Sequence, residues 1–257
     1  MASYKGAISF GLVYIPISLS VSIKENDIGF NMLDKRTMSR IKYKKTCVDC
    51  ENKEVNSEDI VKGYQYEKDK YVIFTDKDFE KLKSEKDKNV VIQQFVDLEE
   101  VDPIYYDKSY YVYPTDGEKA FNVLLEAMEK QNKAGIAKTV LGAKETLILL
   151  RVKNKKMLAS TLYFQSEIQK SPEIKKTKVD VKELKLAINL IEQMTAPFKP
   201  EQYKDEYNEK IKKAIKQKIA GKQIVETKNK SEPTEVIDLM DALKQSLNVK
   251  NRRSRSA

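Results

Sequence analysis

The sequence predicts a mixed, mainly β fold: a barrel or sandwich of short strands with inserted helices, followed by a helical C-terminal arm. Three observations predict it. Up to about residue 164, apolar residues come in short β-branched or aromatic runs punctuated by Gly, Pro, Asn and Asp. Few stretches there carry helical spacing, too few for a sheet of βαβ units. After Ile168 the chain becomes polar, with apolar residues at three- and four-residue spacing. The implied organisation is a β core over 1–170, a helical arm over 171–225, a flexible linker over 226–233, and a short helix with a basic tail over 234–257.

The elements follow in order. "GAISFGLVYIPISLSV" (Gly6–Val21) reads as β structure broken by Gly11 and Pro16. "KYVIFT" (Lys70–Thr75) reads as a short strand of buried type, and "TDKDFEKLK" as a helix capped by Thr75 or Asp76. "NVVIQQFVDL" (Asn89–Leu98) and the aromatic "IYYDKSYYVYP" (Ile104–Pro114) return to β. Asp116 is the expected cap of a helix whose Phe121, Leu124, Leu125 and Met128 share one face. "GIAKTVLG", "TLILLRVK" and "KMLASTLYF" are three more strands. In the arm, Asp180 and Glu183 form a capping-box pattern before the stripe Leu184, Ala187, Ile188, Ile191 and Met194. "APFKP" interrupts it, and a second basic helix ends at Gly221. Val236, Leu239, Met240, Leu243 and Leu247 mark one side of a last short helix, Thr234–Leu247, before the tail "KNRRSRSA".

Composition narrows the function. Of 257 residues, 40% are hydrophobic, enough for a core. The 48 Lys and Arg against 39 Asp and Glu leave a formal charge of +9. That excess suits a polyanionic partner such as nucleic acid, or a lysine-rich solubilising surface. The absence of histidine removes Ser-His and Cys-His nucleophile systems and histidine metal ligation. Two cysteines do not make a disulfide scaffold, so the expected compartment is the cytoplasm. No run approaches the roughly 18 apolar residues of a membrane helix, and the first residues lack the basic start of a secretory signal.

No phosphate-binding glycine loop, nucleotide fingerprint or hydrolase motif occurs. The expectation is a binding protein, no enzyme, with one chemical alternative: a lysine amine forming a Schiff base at an abasic sugar. Arg40, Lys42 and Lys44 alternate with Ile41 and Tyr43, so a strand here has one basic and one apolar face, with Lys45 following. It fits either phosphate contact or an edge guarded by lysine. Lys138, Lys144 and Arg151 on the later strands admit the same two readings. No base-reading motif is present, so backbone and shape are what such a protein would read. Tyr105, Tyr106, Tyr110, Tyr111 and Tyr113 suit cross-strand packing or a stacking platform in a general single-strand DNA- or RNA-binding barrel. Cys47 and Cys50, in "CVDC", lack the βαβ context of a redox pair and a second knuckle for zinc.

Several long strings resemble bacterial Ku proteins. They are "GAISFGLVYIPISL", "IVKGYQYEKDKYVIFTDKDFEKL", "FVDLEEVDPIYYDKSYYVYP", "AFNVLLEAM", "AKTVLGAKETLILLRV", "PEQYKDEYNEKI" and "VIDLMDALKQSL". They run in order along almost the whole chain. The resemblance implies a Ku-type β-barrel core and a homodimer forming a ring that threads onto double-stranded DNA ends. It further implies a nucleoid-associated role in non-homologous end joining and recruitment of the ATP-dependent DNA ligase. By the same resemblance, Lys138 to Arg151 belong near the bridge over DNA, and Val236, Leu239, Met240, Leu243 and Leu247 to the ligase-recruiting segment. Arg252 and Arg253 are candidate DNA contacts in a tail much shorter than the lysine-rich extension of many relatives. No cofactor is expected, with one alternative: a dimer could join two Cys47–Cys50 pairs into a shared Cys₄ zinc site, a structural turn being the other reading.

Overall fold

Phe10 and Val13 face each other across a two-residue turn, and Gly11 supplies the left-handed φ of +55° that the reversal needs. That turn joins β1 (Tyr4–Phe10) to β2 (Val13–Val21) as the first hairpin of the fold. The computed structural model describes residues 4–82, 89–141 and 144–224. It divides into two units, Met1–Lys170 and Ser171–Ala257.

The first unit is a closed barrel. After the excursion from Ser22 to Leu82 come β5 (Val90–Asp97), β6 (Tyr106–Pro114), β7 (Lys133–Leu141), β8 (Lys144–Lys153) and β9 (Lys156–Leu162). Around the barrel the order is β1-β2-β6-β9-β8-β7-β5. Every pairing is antiparallel except the closing one, where Ile8 and Ser9 of β1 run parallel to Val90 and Val91 of β5. Closure leaves no free edge in this sheet. Alternation then fills the interior: Ile8, Ile15, Ile17, Val90, Ile148, Leu150 and Met157 are almost wholly buried. The helix over Glu118–Gln131 adds Phe121, Leu124 and Met128 to the same core, and Leu125 packs against it. Each such side chain removed from water contributes roughly 1.5–3 kcal/mol.

β8 is apolar on both faces for a reason. Ile148 and Leu150 point into the barrel, while Leu149 points outward and is also fully buried. Leu98, Val101 and Tyr105 pack over Ala134, Leu149 and Leu162, so the outer face has its own small core. A run such as "TLILL" is what a strand covered on both sides requires.

The excursion between β2 and β5 is built differently. It holds a separate hairpin, β3 (Lys62–Glu67) with β4 (Lys70–Phe74), and a short helix, α1 (Asp76–Lys81). Thr75 caps α1 in a reciprocal box with Asp78, as the pattern predicts. The expectation of a buried strand at Lys70–Thr75 is corrected. β4 forms, but Tyr71, Val72 and Ile73 stand exposed. β3, with glycine and lysine at its start, gave no strand signal.

The barrel helix, α2, shows a second correction. Its cap is Gly117, left-handed at φ +69°, and not Asp116, whose carboxylate instead accepts the Gly117 N–H at 2.7 Å. In the second unit, Asp180 caps α3 (Val181–Met194) by accepting from the N–H groups of Lys182 and Glu183. α4 (Glu206–Ile219) starts at Asp205 and ends before Gly221, left-handed at φ +71°. The α3 stripe forms, yet Leu184, Ile188, Ile191 and Met194 are all exposed.

Candidate nucleic-acid interface

Two basic clusters lie at opposite ends of β8. At its start, Lys144 donates to Glu167 at 2.7 Å, and neighbouring Glu145 accepts from Lys138 of β7 at 2.9 Å. Lys138 also sits over the Phe164 ring, 5.9 Å from its centroid. Lys144 and Lys108 line one shallow cleft of about 200 Å³, and Lys138 reaches two of its lining residues, Glu145 and Phe164. Its hydrogen bond to Glu167, and that carboxylate's charge, hold the Lys144 ammonium above the usual lysine range. The same bond, with one from the Phe164 N–H, holds Glu167 below the usual carboxylate range. Such exposed pairs hold weakly in water, so a phosphate can compete for the lysines.

Arg151 lies seven residues further along β8, about 23 Å at strand rise. It points outward, opposite Leu158 of β9. Its Nε is buried and has no hydrogen-bond partner among the described residues. Tyr106 feels its charge: burial raises the phenol above its ordinary range, and Arg151 opposes the rise. Beyond Arg151 the β8–β9 hairpin turns at Asn154 and Lys155, both with positive φ. Lys153 and Lys156 face each other across that turn. Lys156 lies over Tyr111, 6.0 Å from the ring centroid.

Arg151, Lys153 and Lys156 share the outer face by strand alternation. Sequence reasoning missed Lys153, Lys155 and Lys156. The signal was available, because "KNKK" between two apolar strands is a two-residue turn loaded with lysine. Of the five strand tyrosines, Tyr105, Tyr106 and Tyr110 pack into the cores and only Tyr111 and Tyr113 stand exposed. That favours packing over a stacking platform.

The predicted strand at Arg40–Lys45 is not one. It forms no ladder; isolated bridges, Leu33 to Arg40 and Thr46 to Glu54, flank it, and its backbone bonds run to Met32 and Val55. Ile41 and Tyr43 are 50% and 82% exposed, so the alternation has no core to face. The basic side chains are still displayed: Lys44 pairs with Glu54 at 2.6 Å, and no ion pair engages Arg40, Lys42 or Lys45 among the described residues.

Cys47 and Cys50 lie in the turn between Thr46 and Glu54. The Cys47 N–H donates to Lys53, the Lys53 N–H to Cys50, and Glu51 and Asn52 take positive φ, folding a tight knuckle. The Cys50 thiol is hydrogen-bonded to Cys47, which raises its pKa, and mutual repulsion of the thiolates adds to the rise. A soft metal, which binds the thiolate form, would oppose that rise. Two thiols are half of a tetrahedral set, and no group of three or more ligand residues lies together among the described residues. Arg252, Arg253, Val236, Leu239, Met240, Leu243 and Leu247 lie outside the described residues.

Comparison with known proteins identifies the fold. Residues 9–186 match the family described as the Ku70/Ku80 beta-barrel domain. The "Non-homologous end joining protein Ku" of Lachnoclostridium phytofermentans is 45% identical over 249 residues, 96% of each chain. The protein of that name from Bacillus subtilis is 40% identical, covering 98% of this chain and 83% of its own. The one from Archaeoglobus fulgidus is 39% identical, covering 96% and 98%. With a closed seven-stranded barrel, a family match across most of its length and relatives aligned nearly end to end, this chain belongs to the Ku family.

Proposed function

We propose that the chain binds the ends of double-stranded DNA, without reading base sequence, in non-homologous end joining. The observation that carries this is the near end-to-end likeness to relatives named for that process. Its chemistry agrees. Basic side chains at Lys138 and Lys144 at one end of β8, and at Arg151, Lys153 and Lys156 at the other, offer phosphate contacts, and nothing there resembles a base-reading element. Arg40, Lys42, Lys44 and Lys45 would add contacts from the excursion, and Arg252 and Arg253 from the tail.

The working unit in this reading is a homodimer closed into a ring. Its support is the apolar surface a single chain leaves in water: Phe30, Tyr43, Tyr64 and Ile73, and the α3 stripe of the arm. A two-stranded hairpin such as β3–β4 is marginal on its own and calls for a partner surface. A two-fold dimer also matches the approximate dyad of a duplex, and a preformed ring loads only from an end. Such a dimer would let two Cys47–Cys50 knuckles meet as a Cys₄ zinc site. The segment Thr234–Leu247 would present its apolar stripe to the ATP-dependent repair ligase. The protein would work in the cytoplasm, on the nucleoid. No described helix is long and apolar enough to cross a membrane.

In this reading the chain binds DNA and does not act on it chemically; a lysine-dependent lyase would need a free amine, which the hydrogen bond to Glu167 disfavours at Lys144. The test compares linear with covalently closed DNA at matched salt, with the oligomer size measured on the same sample. Strong preference for linear DNA by a dimer is expected. Equal affinity for both forms would remove the ring.

A further inference from the structure

Tyr111 and Tyr113 stand on the outer face of β6, since Val112 between them belongs to the core. They are 42% and 43% exposed. Their neighbours across the ladder on β2 are Ser20 and Ser18, side chains too short to cover a ring. No other aromatic ring stacks on either of them among the described residues. The cross-strand packing that usually occupies a strand tyrosine is therefore thin here.

Both rings line a cavity of about 320 Å³ between the end of β6, the start of β9 and α2. Pro114 and Leu125 add apolar wall, and Lys155 and Lys156 of the β8–β9 turn add charge. No carboxylate lines it. Glu129 accepts from the Lys155 N–H at 3.4 Å but lies outside the lining. Lys156 sits over Tyr111, 6.0 Å from the ring centroid. No ion pair engages Lys155 or Lys156 among the described residues. Small-molecule pockets start at about 300 Å³, so the cavity admits one flat ring system with its phosphate and no duplex.

Ring faces, apolar wall and ammonium groups without a balancing carboxylate select a planar, anionic ligand. An unpaired nucleotide has that chemistry, because its base can stack on an aromatic ring while its phosphate meets a lysine. A paired base does not, because its faces are taken by its neighbours in the duplex. We propose that this cavity holds one unpaired nucleotide of a single-stranded overhang, with the base against Tyr111 or Tyr113 and the phosphate on Lys155 or Lys156. The inference rests on the reading that the chain binds DNA ends, and adds a site for the strand that outruns the duplex. Lys156 links the two, since it belongs both to the basic turn and to the cavity. Stacking tolerates any sequence because every base has a π face, so the site leaves the protein indifferent to base identity.

The test uses the full-length protein and two linear duplexes, one blunt and one with a short overhang carrying iodouracil. The overhang should tighten binding by about tenfold. Irradiation should join the iodouracil to Tyr111 or Tyr113, read by mass spectrometry of the crosslinked peptide. Tyr111→Ala with Tyr113→Ala should abolish the gain while the blunt duplex binds as before, which reports a folded variant. Tyr111→Phe with Tyr113→Phe keeps the ring faces and should keep the gain. Equal affinity of the wild type for both duplexes, a gain that survives the alanine pair, or crosslinks confined to other residues would each overturn the proposal. A short iodouracil-bearing single strand, free of any duplex, keeps this result apart from the DNA-end reading. Its crosslink to Tyr111 or Tyr113 stands even where linear and closed duplexes bind equally, and a preference for linear DNA stands even where the crosslink fails.

Discussion

The barrel and the excursion from Ser22 to Leu82 use similar side chains to opposite ends. In the barrel, Ile8, Ile15, Ile148 and Leu150 are wholly buried. In the excursion, Ile23, Phe30, Met38, Tyr43, Val48 and Tyr64 are more than half exposed, although they are as apolar. Closure explains the first: each strand of the barrel has two neighbours and an interior to fill. The second has one two-stranded hairpin, two isolated bridges and a cysteine knuckle. A chain that folds one region around its own core and leaves the other open has, in the excursion, apolar surface available to a partner. That is the physical case for the proposed dimer.

Stability should break the comparison most sharply. Leu150→Ala removes a fully buried side chain from the interior and should cost about 2–5 kcal/mol. Tyr43→Ala in the excursion should change the stability of a single chain by no more than about 0.5 kcal/mol. Denaturant unfolding at low protein concentration measures both. Equal losses would mean that the excursion has a core of its own.

Association should show the reverse order. Tyr64→Ala with Ile73→Ala removes exposed apolar surface from the β3–β4 hairpin. If a second copy covers this surface, the dimer should weaken by roughly tenfold or more per anchoring side chain lost. Sedimentation at a series of concentrations reads the change. An unaltered dimer would move the interface elsewhere, with the α3 stripe the next surface to probe.

DNA affinity should sharpen the comparison between basic sites. Lys153→Gln with Lys156→Gln removes two cations from the rigid β8–β9 turn. The slope of log affinity against log salt should fall in magnitude by about 1.8 if both lysines meet phosphates. Arg40→Gln with Lys42→Gln, on the less structured excursion, should give a smaller change. A slope unaffected by the first pair would take the outer barrel face out of the interface.

What was legible in the sequence follows the same division. Alternation exposed the barrel strands because each has one face that must be apolar, and "TLILLRVK" was legible as a strand from its β-rich apolar run, whose centre, Ile148 to Leu150, is buried. Thr75 and Asp180 were readable as caps because their carboxylate or hydroxyl is the local means of satisfying free N–H groups. Asp116 misled for the same reason: it has a cap's chemistry, but Gly117 has the left-handed backbone this helix start adopts. Arg40–Lys45 misled because alternation predicts a strand only where a neighbour and a core exist to use it. Lys153 and Lys156, which face each other across the β8–β9 turn, were legible only if "KNKK" is read as a two-residue turn between the two apolar runs rather than as a solvated charge cluster.

The smallest expected effect separates the two ends of β8. Lys138 and Lys144 are already engaged by Glu145 and Glu167, whereas no ion pair engages Arg151, Lys153 or Lys156 among the described residues. Glu167 is held below the usual carboxylate range, first by its bond from Lys144. The small contribution of this pair is therefore present above the usual carboxylate range and lost as pH falls through the depressed value. The raised Lys144 gives the opposite limit: its share is present below the usual lysine range and lost as pH rises through the raised value. On acidification the wild type frees Lys144 for phosphate only below the pH at which an ordinary glutamate protonates. Glu167→Gln should free it at every pH, steepening the salt slope by about 0.9 at neutral pH. That gain should shrink as the wild type is acidified. If Glu167→Gln leaves the salt slope unaltered at every pH, Lys144 does not face the DNA, and the basic interface contracts to the Arg151 end of the strand.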